Sequence, residues 1–251
     1  MTRLPNDPRV IALVPAFNEA TKIGRVVERT GRSTVNALLV IDDGSTDETA
    51  AVARSRGAEV LSLGATYGVG AALRAGLDHA RAERFDIAVC MAGNDKDDPS
   101  EIPRLLDPIR NDDVDFVIGS RFLSGGGYGG DMPRYRKLAT RVHPRLMSRL
   151  VGKRLTESTN GFRALRLSLL DDRRINLHQR WLNGYGLEVY LLMRVIQLGY
   201  RHREVPCTKL YPSRRIGNTK MRPIIDWWGM LQPMFKTALS GDASPGREGA
   251  A

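Results

Sequence analysis

Carboxylates gather at Asp42-Asp43-Gly44-Ser45-Thr46-Asp47, directly after an apolar run at 37–41. On a tight turn at the end of a strand they can accept hydrogen bonds from a ribose or a nucleobase. Read alone, Ser45 or Thr46 followed by Glu48 serves equally well as the N-cap of the next helix. About 25 residues earlier, Pro15-Ala16-Phe17-Asn18-Glu19 closes another apolar run. Farther on, Glu188 in Gly184-Tyr185-Gly186-Leu187-Glu188 stands in the first turn of a helix, where a carboxylate complements the helix dipole. It is also a candidate general base if the nucleophile is a sugar or nucleoside hydroxyl, whereas an ionised phosphate needs no strong base. His79, His143, His178 and His202 show no metal spacing and no Ser or Cys partner arrangement. There is no P-loop, and Gly68-Val69-Gly70 lacks the third glycine of a dinucleotide fingerprint.

These clusters act together only if the fold brings strand ends to one place. Apolar runs at 10–14, 37–41, 59–63, 86–91 and 115–118 predict strands, with helices over 20–30, 48–56 and 70–81 between them. That alternation predicts a parallel sheet with helices on both faces and ligands at the carboxyl ends of its strands. Asn18-Glu19, Asp42 to Ser45, Asn94-Asp95 and Ser120-Arg121 all fall at such ends. Past Arg121, Gly125 to Gly130 reads as a flexible loop, too rich in glycine for a regular element. The stretch 132–156 has no acidic residue and eight basic ones. Lys137, Arg141, Arg145 and Arg149 form a basic stripe beside Leu138, Val142, Leu146 and Leu150, and Pro144 is expected to break the helix in two. Helices are predicted over 184–199 and 224–239, the second interrupted by Pro233, and the small polar end 241–251 is expected to be disordered.

The 251 residues carry 38 Lys and Arg against 28 Asp and Glu, a net charge of +10, with 42% hydrophobic residues. Such a composition excludes a disordered polycation or a collagen-like polymer, and the length suits one large α/β domain or two small ones, with a core that needs no disulfide or structural metal. Cys90 and Cys207 give no disulfide framework and no zinc spacing, which fits a reducing compartment. No signal-peptide core opens the chain, and no apolar run approaches the roughly 18 residues of a membrane span, so a cytoplasmic protein is expected. The positive charge leaves nucleic acid, a membrane surface or phosphorylated small molecules as partners. With no groove-reading motif or stacking set, nucleic acid is set aside.

Taken together, the two signatures at 15–19 and 42–47 closely resemble the nucleotide-sugar half of inverting family-2 glycosyltransferases, over roughly residues 9–225. The nearest subgroup resembles dolichyl-phosphate mannose synthases and related polyprenyl-phosphate glycosyltransferases. The resemblance implies the GT-A fold, a single Rossmann-like domain with a mostly parallel sheet flanked by helices. It divides 9–225 into a nucleotide-sugar part (9–121) and an acceptor region (122–225), with a tail at 1–8 and an amphipathic helix at 226–240. It implies a UDP- or GDP-linked sugar donor, Mg²⁺ or Mn²⁺, and an anionic acceptor, foremost a polyprenyl phosphate at the inner face of a membrane. Pro15, Phe17, Glu19, Ile41 and Asp43 would line the base and ribose, and Gly93, Asn94 and Asp95 the rest of the donor. The family's Asp-Ala-Asp metal motif falls on Gly93-Asn94-Asp95-Lys96-Asp97, with Gly93 in place of the first Asp, which leaves the metal to Asp95 and Asp97. Arg121, in Gly119-Ser120-Arg121, would face phosphate where donor and acceptor meet, since a guanidinium offers paired donors. Asn160 replaces the Ser of a Ser-Gly-Phe segment under the acceptor, and Lys153 or Arg154 occupies the place of a second lipid-phosphate Arg. Arg214 to Lys220 matches Arg-x-x-Gly-x-Ser-Lys with Thr219 for Ser, and Arg214 and Lys220 would close over the diphosphate.

Two other readings stand beside this one. The acceptor can be a soluble phosphorylated or hydroxylated small molecule, in which case the basic stripe binds it or is a solvated face. Gly93 also admits a nucleotide-sugar binding protein without catalysis.

Overall fold

The computed structural model describes residues 4, 7–31, 34–211 and 225–239. Strand β1 (Val10–Ala16) shows why the apolar runs become central strands: Val10 to Val14 are all fully buried. Val10, Ala12 and Val14 join Ile23, Val26 and Val27 of α1 (Ala20–Arg29) and Leu105 and Ile109 of α4 (Ile102–Asn111) on one face. Ile11 and Leu13 join Ala72, Leu73 and Leu77 of α3 (Val69–Ala82) and the apolar side of α6 (Gly186–Gln197) on the other. Apolar residues at consecutive positions are what a strand covered on both faces requires.

The sheet has seven strands in the order β3-β2-β1-β4-β7-β5-β8. These are Glu59–Ser62 (β3), Ala37–Asp42 (β2), Ile87–Cys90 (β4), Arg163–Arg166 (β7), Phe116–Ser120 (β5) and His202–Pro206 (β8). All pair in parallel except β7, which runs antiparallel between β4 and β5. The predicted alternation is present, joined by α2 (Thr49–Ser55) between β2 and β3.

Three local expectations are corrected. Within the glycine-rich loop, Gly127–Gly130 forms strand β6, paired in parallel with β9 (Thr208–Tyr211). The glycines permit this instead of preventing it, because a Cβ on Gly130, whose φ is +75°, would lie 1.9 Å from the Tyr211 carbonyl oxygen. Helix α5 (Arg134–Val151) runs through Pro144 without a break. The amide that proline lacks would have met the Thr140 carbonyl; the flanking carbonyls gain side-chain donors, the Arg145 guanidinium to Arg141 (3.1 Å) and the Ser148 hydroxyl to Pro144 (2.6 Å). Helix α7 (Ile225–Leu239) is likewise continuous through Pro233, whose ring packs on the α6 backbone at Gly186. The tail 241–251 and the segment 214–220 lie outside the described residues. Among the described residues no helix is long and apolar enough to cross a membrane.

Candidate active site

A cleft of about 1130 Å³ opens at the carboxyl ends of β1, β2 and β4, where the predicted topology puts ligands. Its first wall is the loop after β1, and that loop is tied to the loop after β2. The Asn18 side-chain oxygen accepts from the Thr46 amide (2.8 Å), and the Asn18 amide donates to the Ser45 hydroxyl (2.9 Å). Ser45 and Thr46 therefore join the two motifs and do not cap α2, whose terminus is served by Asp47 accepting from the Thr49 amide at 3.0 Å. Asp43 is buried and accepts from the amides of Tyr67 (2.8 Å) and Gly68 (2.9 Å), which holds the entry to α3 against the cleft. Burial raises the Asp43 pKa despite those two amides.

Pro15, Phe17, Glu19, Asp43, Gly93 and Asn94 all line the cleft. Ile41 does not: it is fully buried beneath α3, against Gly76, and supports the wall from behind. Asp95 is turned toward α1. Its backbone is left-handed (φ 56°), and its carboxylate is held by Arg25 at 3.3 Å and Arg29 at 3.0 Å. Asp97 is buried, with one oxygen on the Lys209 ammonium (2.5 Å) and the other on the Ala92 amide (3.1 Å). The two carboxylates read as metal ligands thus point to different partners, and neither lines the cleft. Among the described residues no three His, Cys, Asp or Glu side chains gather as a metal site. As the described residues stand, Asp95 and Asp97 are turned apart and do not form a joint cation site.

On the opposite wall, Arg121 and Glu157 form a buried ion pair at 2.7 Å. Arg121 also donates to Thr159 (2.8 Å) and Tyr211 (3.0 Å), so it reaches the cleft only through those two lining residues. Burial opposes the charge on Glu157, but Arg121 and the amides of Thr159 and Ser158 outweigh it and hold the carboxyl below its ordinary range. Asn160 is buried, donates to the Gly119 carbonyl (2.8 Å) and accepts from Lys209 (2.9 Å), so it positions a cleft cation instead of meeting a ligand. Glu188 lines the cleft against the Gly161 backbone. Lys153 and Arg154 are exposed beyond the far end of α5, and Lys153 borders a separate hollow with Asp112, Tyr200 and Arg203. Because Arg136 in the first turn of α5 is the residue that lines the cleft, Lys153 lies about 25 Å farther along the helix and does not reach it.

Several cleft residues escaped sequence reading. Lys22, Lys96, Arg136, Arg163, Lys209 and Tyr211 all line it. Lys96 stands inside the Gly93–Asp97 motif and Arg163 directly after the segment that opens with Asn160, while Lys209 and Tyr211 alternate along β9, too short a period-two signal to stand out. Arg163 is buried and donates to the carbonyls of Asn160 (2.6 Å), Glu188 (2.5 Å) and Ser158 (3.1 Å).

His143 of α5 locks the back of the cleft. Its Nε2 faces the Met230 carbonyl of α7 at 3.5 Å, so that nitrogen carries the proton and Nδ1 accepts from the Ser158 hydroxyl at 2.8 Å. Burial pushes the imidazole down to about 4 from 6.5. Because the unfolded state binds the proton first, stability is expected to fall as pH drops from about 6.5 to 4 and to change no further through this group below that. The loss is about 3 kcal/mol at most. His143→Gln in chemical denaturation at pH 7 and pH 4.5 checks this, and an unchanged pH slope would refute it.

A mixed sheet in this order, with a cleft at the ends of β1, β2 and β4, is the GT-A glycosyltransferase architecture. Residues 11–174 match the family described as Glycosyl transferase family 2. The chain belongs to that family and is a glycosyltransferase. It is 35% identical over 225 residues to an undecaprenyl-phosphate mannosyltransferase of Micrococcus luteus, covering 85% of this chain and 87% of that one. It is 34% identical to a dolichyl-phosphate hexose transferase of Haloferax volcanii (89% and 91% covered) and 30% identical to a polyprenol monophosphomannose synthase of Mycolicibacterium smegmatis (92% and 86%). Among solved structures it resembles glucosyl-3-phosphoglycerate synthase of Mycobacterium tuberculosis, crystallised with Mn²⁺, UDP and glucosyl-3-phosphoglycerate. That likeness has a TM-score of 0.65 at 24% identity, covering 93% of this chain and 79% of the other.

Proposed function

We propose that the chain moves a sugar from a UDP- or GDP-linked donor to a polyprenyl phosphate, with inversion, while lying on the cytoplasmic surface of a membrane. The observation that carries this reading is the surface beside the cleft. Tyr135, Leu138 and Val142 of α5 are 43%, 66% and 48% exposed, and Trp228 and Phe235 of α7 are 62% and 43% exposed. The same two helices contribute Arg136, Gly229 and Met230 to the cleft. On α5 the exposed apolar side chains sit among Lys137, Arg141, Arg145 and Arg149, a combination that suits an anionic lipid surface. The names of the relatives support the same acceptor class.

In the reaction, an oxygen of the acceptor phosphate attacks the anomeric carbon as the bond from that carbon to the donor diphosphate breaks on the opposite side. The phosphate is already ionised, so no proton has to be removed and Glu188 is not required as a base. Cations along the cleft wall stabilise the charge that collects on the leaving diphosphate, and Arg214 and Lys220 are proposed to add to them.

The experiment is sugar transfer from a panel of labelled nucleotide sugars, with and without polyprenyl phosphate, followed by partition between organic and aqueous phases. Label in the organic phase is expected; aqueous product or donor hydrolysis alone would overturn the lipid acceptor. Leu138→Glu is expected to lower co-sedimentation with anionic vesicles at least fivefold without changing the melting temperature.

A further inference from the structure

We propose that Lys96, assisted by Arg136 and Lys209, neutralises the donor diphosphate in place of a divalent cation. The proposal rests on the nucleotide-sugar reading of the cleft. Its first support is where the carboxylates go. Asp95 is committed to Arg25 and Arg29, and Asp97 to Lys209 and the Ala92 amide. The acids that do line the cleft near β1 and β2 are also engaged: Glu19 by Lys22 at 2.8 Å, Asp43 by two backbone amides, and Asp47 by Thr49. Nor is Gly93 simply a carboxylate position that lost its side chain. A Cβ there would lie 3.0 Å from the Ala16 Cβ and 3.1 Å from Ile23, directed at the packing of α1 against β1.

The second support is what occupies that wall instead. Lys96 is 6% exposed, lines the cleft, and has its carbonyl fixed by the Leu210 amide at 2.8 Å. The Lys96 ammonium and the Arg136 guanidinium lie 5.4 and 5.8 Å from the centre of the same Tyr211 ring. Lys209, two residues before that tyrosine, also lines the cleft, with its charge shared with Asp97. Lys96 is thus nearly buried with the Arg136 guanidinium against the same ring, two like charges on a partly dry stretch of the cleft wall. A ligand with several negative charges relieves such a setting; a metal cation would worsen it. Two residues before Lys96, the Asn94 side-chain oxygen is buried with no hydrogen-bond partner among the described residues, open to a hydroxyl of the donor.

Calorimetric titration of the full chain with UDP and with GDP, in EDTA and again in Mn²⁺, tests the proposal. One nucleotide is expected to bind in EDTA with a Kd within twofold of its value in Mn²⁺. Lys96→Met is expected to raise that Kd tenfold or more, and Lys96→Arg to restore it to within threefold. Binding that appears only with Mn²⁺, or a Lys96→Met Kd equal to wild type, would overturn the proposal and leave the nucleotide-sugar reading intact. Failure of both nucleotides to bind in either buffer would remove that reading and this one with it. The comparison of EDTA with Mn²⁺ uses the unaltered chain, so it decides the matter even where a variant folds poorly.

Discussion

Glu157→Ala is expected to lower the unfolding free energy by about 3–5 kcal/mol, the range for removing one partner of a buried ion pair. Glu157 and Arg121 have side-chain exposures of 0% and 2%, so water cannot compensate the charge left behind. The loss extends beyond the pair, because Glu157 also accepts from the amides of Ser158 and Thr159 and from the Thr159 hydroxyl. Without it, the segment that carries Ser158, Thr159 and Asn160 toward the cleft loses its anchor. Denaturant titration measures the change, and the double variant Arg121→Met with Glu157→Met separates charge from packing: it should be more stable than Glu157→Ala. A loss under about 1 kcal/mol for Glu157→Ala would show that solvent reaches the pair.

The second large effect is expected at Gly70. A Cβ there would stand 2.0 Å from the Leu182 carbonyl oxygen and 2.4 Å from that of Gly184, both backbone atoms that cannot rotate away. Gly70→Ala therefore forces the start of α3 from the 182–184 segment and strains the bonds from the Gly70 and Ala71 amides to the Asn183 carbonyl, at 2.8 and 3.0 Å. Overpacking of this kind costs about 1–3 kcal/mol or more. Gly68 and Val69 line the cleft from one side of this junction and Gly184, Tyr185 and Glu188 from the other. A shift of 1 Å between them is expected to reduce kcat/KM by about 100-fold, measured beside the melting temperature. Near-wild-type turnover in Gly70→Ala would mean that the junction moves freely and does not set the cleft width.

The sheet could be read from the chain because its strands are buried on both faces, which makes runs such as 10–14 apolar at every position. The motif loops could be read because Asn18, Asp43 and Ser45 are short polar residues next to those runs. What stayed hidden depends on contacts distant in sequence. Nothing local to Asp95 says that Arg25 and Arg29, on a helix some 70 residues earlier, will claim it. The same holds for Asp97 and Lys209, and for Arg121 and Glu157. Strand β6 was hidden for a different reason: a glycine run has no side-chain pattern, and its pairing depends on an edge supplied by β9. Pro144 and Pro233 mislead in the opposite direction, since helix propensity predicts breaks that tertiary packing overrides.

Strand β9 carries a consequence for how activity can change in this chain. Lys209 reaches Asp97 and Asn160, Tyr211 reaches Arg121 and lies under Lys96 and Arg136, and the strand backbone holds both the Lys96 carbonyl and β6. Both walls of the cleft are thus fastened to one four-residue strand. On the proposed function, a change in preference for one sugar nucleotide is therefore expected to disturb preference for the acceptor. A graft of the acceptor segment from a relative will retain turnover only when residues 207–211 travel with it.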